Sequence, residues 1–235
     1  MESEMTRDDN YVGLWADLLA QAEEEEETFE LDPHWCVAEG RDKSSCVLML
    51  AGRAQHANLL PSIYWHNGFQ DCLLVGIATK NLAWYPMPRG AGDQMRAANG
   101  IPHAINLIES AVEKIHRKWK IPKSKIVLLG FSAGGVMSVQ VAGYSDQPYA
   151  GVVGQSGAIL QPTILPYRET ADTPVLLTHS KDDETFSWDE RYLPMRAALK
   201  SKSYPLSCVE SQFGGHSLNP IDISVAKIFI RQVLA

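Results

Sequence analysis

Hydrophobic residues in this chain gather into short solid blocks set apart by longer stretches of helical spacing. The blocks "SSCVLMLAG", "CLLVGIAT" (72–79), "KIVLLG" (125–130), "GVVGQSG" (151–157), "PVLLTHS" (174–180) and "PLSCVES" (205–211) read as strands. Most are apolar at successive positions rather than alternate ones, the mark of a strand covered on both faces. Between them, "ANLLPSIYW" reads as a short helix, and helical patterns recur near 136–143, 187–201 and 220–234. In 101–119, Ile105, Ile108, Val112 and Ile115 share one stripe, and Pro122 closes that helix. Strands alternating with helices predict an α/β fold, a mainly parallel central sheet with helices on both faces.

The N-terminal part reads differently. Residues 11–22 carry apolar positions at helical spacing, and "FELDPHWCVAEG" reads as a further strand, joined to "SSCVLMLAG" by the polar turn "GRDK". "NLAWYPMPRGAGDQ", rich in Pro, Gly and aromatic residues, predicts a long loop.

Charge sharpens the division. The net charge is −7, yet residues 1–32 hold 12 acidic side chains against Arg7 alone, which leaves the rest of the chain at +4. We therefore expect an acidic, helical extension over 1–32 and one domain over 33–235. The basic cluster from Lys114 to Lys125 ends a helix, where cations suit the helix dipole, so no nucleic-acid partner is expected. Cys36, Cys46, Cys72 and Cys208 lie far apart with no C-x-x-C pair and no secretory leader, as in a reduced, cytoplasmic protein. No apolar run reaches the roughly 20 residues of a transmembrane helix. No metal-ligand spacing and no glycine-rich nucleotide loop is present, so neither metal nor cofactor is expected.

One motif carries chemistry. Gly130-Phe131-Ser132-Ala133-Gly134 fits G-x-S-x-G, a sharp strand-to-helix turn that raises a serine above the sheet edge. A strand precedes it and a helix-compatible run follows, which is the context the motif requires. A serine hydroxyl needs a base. Only His179 and His216 lie downstream, and His216, in "FGGHSLNP" after the last strand, is the better placed; His179 ends a strand and reads as buried or loop-orienting. The orienting acid comes from "THSKDDETF", where Asp182, Asp183 and Glu184 are all open. Oxyanion donors are expected from the Ala133 N–H and from the loop "LAGRAQHA", through Arg53. Gly52 of that loop, with Trp84, Tyr85 and Met87 as an apolar wall, is expected to border the substrate.

"GIPHAINLIESAVEKIHRKWKIPKSKIVLLGFSAGG", "VVGQSGAIL", "PVLLTHSKDD" and "FGGHSLNP", in this order, resemble the phospholipase/carboxylesterase family of α/β-hydrolases, which includes acyl-protein thioesterases. The resemblance spans residues 45–233. It implies a serine hydrolase that cleaves small acyl esters or thioesters without a cofactor. Matching the family's H-G-x-x-D pattern to "HSKDD" implies Asp183 as the acid, and matching H-G-x-G to "AGRA" implies the Arg53 N–H as second oxyanion donor. Ala51 and Ala54 stand where that pattern has His and Gly, and Ser180 where it has Gly. The rival readings are a peptidase or lysophospholipase on the same groups, or an inert hydrolase fold used as a binding module.

Overall fold

The computed structural model describes residues 34–86, 94–158 and 172–235. The expected extension at 1–32, with its helix, and Met87 lie outside these residues. Each apolar block within them becomes a strand: β1 (His34–Ala38), β2 (Cys46–Leu50), β3 (Leu73–Ala78), β4 (Ile126–Phe131), β5 (Gly151–Gln155), β6 (Val175–Ser180) and β7 (Leu206–Ser211). They form one seven-stranded sheet in the order β1-β3-β2-β4-β5-β6-β7. Strands β2 to β7 pair in parallel, and β1 lies antiparallel to β3 at the edge. The five inner strands are buried at every position, which is why their sequences do not alternate.

Two expectations change. The segment "GRDK" joins β1 to β2, but the two strands are not neighbours, because β3 lies between them. The segment runs beside the start of β3 instead: the Arg41 N–H donates to the Gln70 carbonyl at 2.8 Å and the Asp42 N–H to the Asp71 carbonyl at 3.1 Å. The helix expected at 101–119 begins seven residues earlier, at Gln94, and carries Pro102 in its interior. Gly100-Ile101-Pro102 imitates a helix start, yet "QMRAA" ahead of it consists of good helix formers, and the chain continues through the proline at the loss of one hydrogen bond.

Helices cover both faces. α1 (Leu59–His66) and α5 (Pro220–Leu234) pack on Val47, Met49, Val127, Leu129 and Val153 through Leu60, Tyr64, Ile223, Ala226, Phe229 and Ile230. Alternation turns Leu48, Leu128 and Val152 to the opposite face, where α3 (Ala133–Tyr144) lies against β4 and β5, with α2 (Gln94–Trp119) packed on α3. A π-turn at Trp188–Tyr192 leads into α4 (Leu193–Ser201). α5 starts on a capping box, the Asp222 N–H donating to Asn219 Oδ1 at 2.9 Å and the Asn219 N–H to Asp222 Oδ2 at 3.2 Å, a feature worth about 1 kcal/mol. Six parallel strands end on one edge of the sheet, and the candidate site stands there. No helix among the described residues is long and apolar enough to cross a membrane.

Candidate active site

Ser132 follows the last residue of β4 and precedes the first of α3, so the chain must reverse direction at one residue. It does so with φ 56° and ψ −121°, a conformation that L-residues rarely adopt. Two contacts hold it there: the Ser132 N–H donates to the Gln155 carbonyl at 2.9 Å, and the Ser132 carbonyl accepts the first helical bond from Val136 at 3.0 Å. The turn also needs bare backbone beneath it. A Cβ on Gly134 would lie 2.0 Å from the Leu50 carbonyl oxygen, and one on Gly130 would lie 2.1 Å from Gly134 itself.

His216 sits on the loop between β7 and α5. Its Nε2 is 2.7 Å from Ser132 Oγ and its Nδ1 is 2.8 Å from Asp183 Oδ2. A carboxylate only accepts, so Nδ1 carries the proton and Nε2 is left to accept from the serine hydroxyl. Phe131 and Phe186 flank the imidazole, with centroids 5.2 and 5.4 Å away. Asp183 is 3% exposed, and its Oδ1 accepts the N–H groups of Thr185 at 2.9 Å and Phe186 at 2.8 Å. Burial alone would raise the Asp183 pKa. The hydrogen bonds from the His216 Nδ1–H and the Phe186 N–H outweigh burial and hold the carboxyl below its ordinary value, so it is ionised at neutral pH.

The three adjacent carboxylates thus divide. Asp183 meets the imidazole; Asp182 meets the backbone of the imidazole's loop, accepting from Gly214 N–H at 3.3 Å and Gly215 N–H at 2.8 Å; Glu184 is exposed. Sequence alone offered no way to assign that second task to Asp182. His179 is buried: its Nε2 donates to the Phe186 carbonyl at 2.9 Å and its ring stacks on Tyr192 at 4.6 Å. Burial is the main influence on its pKa, lowering it, so the ring is neutral and orients the Asp183–Phe186 turn. Ser180 bonds Ser211 Oγ at 2.8 Å and ties the ends of β6 and β7 beneath the His216 loop.

The loop after β2 is closely held. The Gly52 N–H donates to Gln55 Oε1 at 2.8 Å, the Ala54 N–H to the Leu82 carbonyl at 2.8 Å, and the Trp84 indole N–H to the Ala51 carbonyl at 2.7 Å. The Arg53 backbone N–H has no acceptor among the described residues, while its guanidinium donates to the Tyr85 carbonyl at 2.9 Å and lies over the Tyr85 ring. Trp84 and Tyr85, expected to form an apolar wall, are 5% and 4% exposed. The Trp84 indole N–H and the Tyr85 backbone carbonyl both bond to that loop.

A serine at a strained turn, an imidazole on it and a buried carboxylate behind form one continuous chain of hydrogen bonds, an arrangement of the kind that nucleophilic catalysis uses. The family model for phospholipase/carboxylesterase matches residues 49–234. The chain belongs to that family. Esterase PE8 superposes with a TM-score of 0.72 over 87% of this chain and 99% of its own, at 20% identity. A phospholipase/carboxylesterase from Dyadobacter fermentans gives 0.74 over 87% and 99%, at 19% identity. Acyl-protein thioesterase 2 from Zea mays gives 0.65 over 86% and 99%, at 15% identity. No curated protein matches this family member by sequence. At these identities the structural likeness speaks to the fold, an α/β-hydrolase.

Proposed function

We propose that this family member is a serine hydrolase cleaving carboxylic esters, thioesters among them, through Ser132, His216 and Asp183. The reading rests on the unbroken Asp183–His216–Ser132 chain of 2.8 and 2.7 Å contacts at the end of β4. His216 Nε2 takes the hydroxyl proton as Ser132 Oγ attacks the acyl carbonyl carbon, and the carbonyl electron pair moves onto oxygen. The N–H groups of Ala133, first in α3, and of Arg53 receive that oxyanion, with the dipole of α3 adding to the first. Gly52 turns the loop that presents Arg53, and Trp84 and Tyr85 brace it.

Collapse of the intermediate expels the alcohol or thiol, which takes the proton from Nε2 and leaves an acyl-serine. Water then attacks the acyl carbon while Nε2 accepts its proton. The second collapse returns that proton to Ser132 and releases the acid. Asp183 stays ionised throughout and stabilises the imidazolium of each step.

The test is hydrolysis of short p-nitrophenyl esters and their thioester counterparts by the purified chain, with fluorophosphonate labelling. Ser132→Ala should lower turnover by on the order of 10⁴- to 10⁶-fold and abolish labelling. An alanine variant that keeps most of the rate rejects the assignment.

A further inference from the structure

Gln155 is a fully buried primary amide at the end of β5, in a strand that is otherwise valine and glycine. It pairs with Phe131, the residue before the nucleophile. Its carbonyl accepts the Ser132 N–H at 2.9 Å, its Oε1 accepts the Tyr64 hydroxyl of α1 at 2.9 Å, and its Nε2 donates to the Asp222 carbonyl at 3.1 Å. Asp222 lies in the first turn of α5, and the capping box joins it to Asn219, three residues beyond His216. The loop carrying the base is therefore held at both ends, by Asp182 through Gly214 and Gly215 and by the start of α5. Gln155 is the side chain that fixes the second end to the strand beside the nucleophile. An apolar residue would fill this site without the cost of desolvating an amide, so the amide's use lies in its two directed bonds.

We infer that Gln155 is a positioning residue for the Ser132–His216 pair: its backbone fixes the nucleophile's turn and its side chain fixes the helix start that anchors the base's loop. This rests on the hydrolase reading above. Gln155 touches neither substrate nor reacting atoms, and its effect passes through Asp222.

Three variants separate positioning from mere stability. Gln155→Met keeps the bulk and removes both side-chain bonds. Gln155→Leu also removes both bonds, with a branched side chain of similar bulk. Tyr64→Phe removes the Tyr64 end alone. Well below their unfolding midpoints, both Gln155 variants should lose about ten- to a hundredfold in kcat on p-nitrophenyl butyrate with KM within about twofold. Fluorophosphonate labelling should slow by the same factor. Tyr64→Phe should lower the midpoint and leave kcat within about twofold. A Gln155 variant, Met or whichever of the two folds, with wild-type kcat and a lowered midpoint overturns the inference, as does equal kcat loss in Tyr64→Phe. A wild-type chain that neither hydrolyses nor labels overturns the hydrolase reading itself, a distinct result.

Discussion

The turn at Ser132 sets chemistry against stability, and two substitutions measure the trade. At φ 56° and ψ −121° a Cβ crowds the flanking peptide units, which costs on the order of 1–3 kcal/mol for any residue but glycine. Ser132→Ala and Ser132→Gly both delete Oγ and its 2.7 Å contact to His216. That loss, about 1 kcal/mol, cancels when the two variants are compared. What remains is relief of strain in the glycine variant, reduced by about 0.5–1 kcal/mol for the greater freedom of glycine in the unfolded chain. Glycine should therefore be the more stable by about 1 kcal/mol, which for a chain of this length is a rise of about 2–4 °C in the thermal midpoint. The assay is thermal unfolding followed by circular dichroism, with ester hydrolysis in parallel to show that both variants are inactive. An alanine variant that melts at or above the glycine variant refutes the claim that this turn is strained.

The neighbouring carboxylates should separate by size of effect. Asp183→Asn presents an amide N–H to the imidazole and favours the wrong tautomer, lowering kcat by on the order of 10⁴, whereas Asp182→Ala frees only Gly214 and Gly215 and should cost about tenfold; equal losses would count against the division of labour. Gly134→Ala places a methyl 2.0 Å from the Leu50 carbonyl oxygen and should lower stability to denaturant by about 1–3 kcal/mol or more, so an unchanged midpoint would refute the close crossing of β2 and α3. His179, held neutral by burial among Asp183, His216, Tyr192 and Glu210, has a folded pKa below its ordinary 6.5. As pH falls below that value the unfolded chain gains a proton that the fold refuses, so stability drops on acidification; His179→Gln should flatten the midpoint against pH there. The depressed pKa of Asp183 acts in a separate window, its contribution fading as pH falls below the ordinary 3.8.

The inner sheet was legible because burial on both faces removes alternation, and continuous runs such as "CVLML" and "KIVLLG" have few other readings. The Ser132 turn and its contact with His216 were legible for a related reason: so sharp a strand-to-helix turn demands glycine at fixed offsets, and only two histidines follow it in the chain. What escaped depends on distant partners. The place of β1 beside β3 rather than β2 leaves no periodic trace, since a turn signal marks a change of direction and not a neighbour. Asp182 and Gln155 find backbone partners 33 and 67 residues away, and a bond to an anonymous carbonyl or N–H selects no residue type at the other end. For Gln155 a faint signal existed, a lone amide inside the apolar run "GVVGQSG". Trp84 and Tyr85 are buried against the loop after β2, and an aromatic loop reads alike in sequence whether its rings face a substrate or prop a turn.

Two departures from the family's pattern, at Ala54 and Ser180, are each held by hydrogen bonds. Ala54 takes φ 59° where that pattern has glycine, a strain on the order of 1–3 kcal/mol, and a loop with that cost needs bonds that leave it no alternative. Gln55, Leu82 and Trp84 supply them, each fixing a different peptide group of Ala51, Gly52 and Ala54. Among the described residues the Arg53 N–H has no acceptor, which leaves it open for the oxyanion role proposed above. Ser180 follows the same course: with a hydroxyl in place of glycine's missing side chain, it bonds Ser211 and occupies the space beneath Gly214, whose φ of 148° and lack of Cβ make room for it. At Ala54 the chain reaches a left-handed conformation with a residue other than glycine and enforces it with hydrogen bonds. A loop so braced suits the proposed oxyanion role, because preformed donors draw their advantage from needing no reorganisation at the moment of reaction.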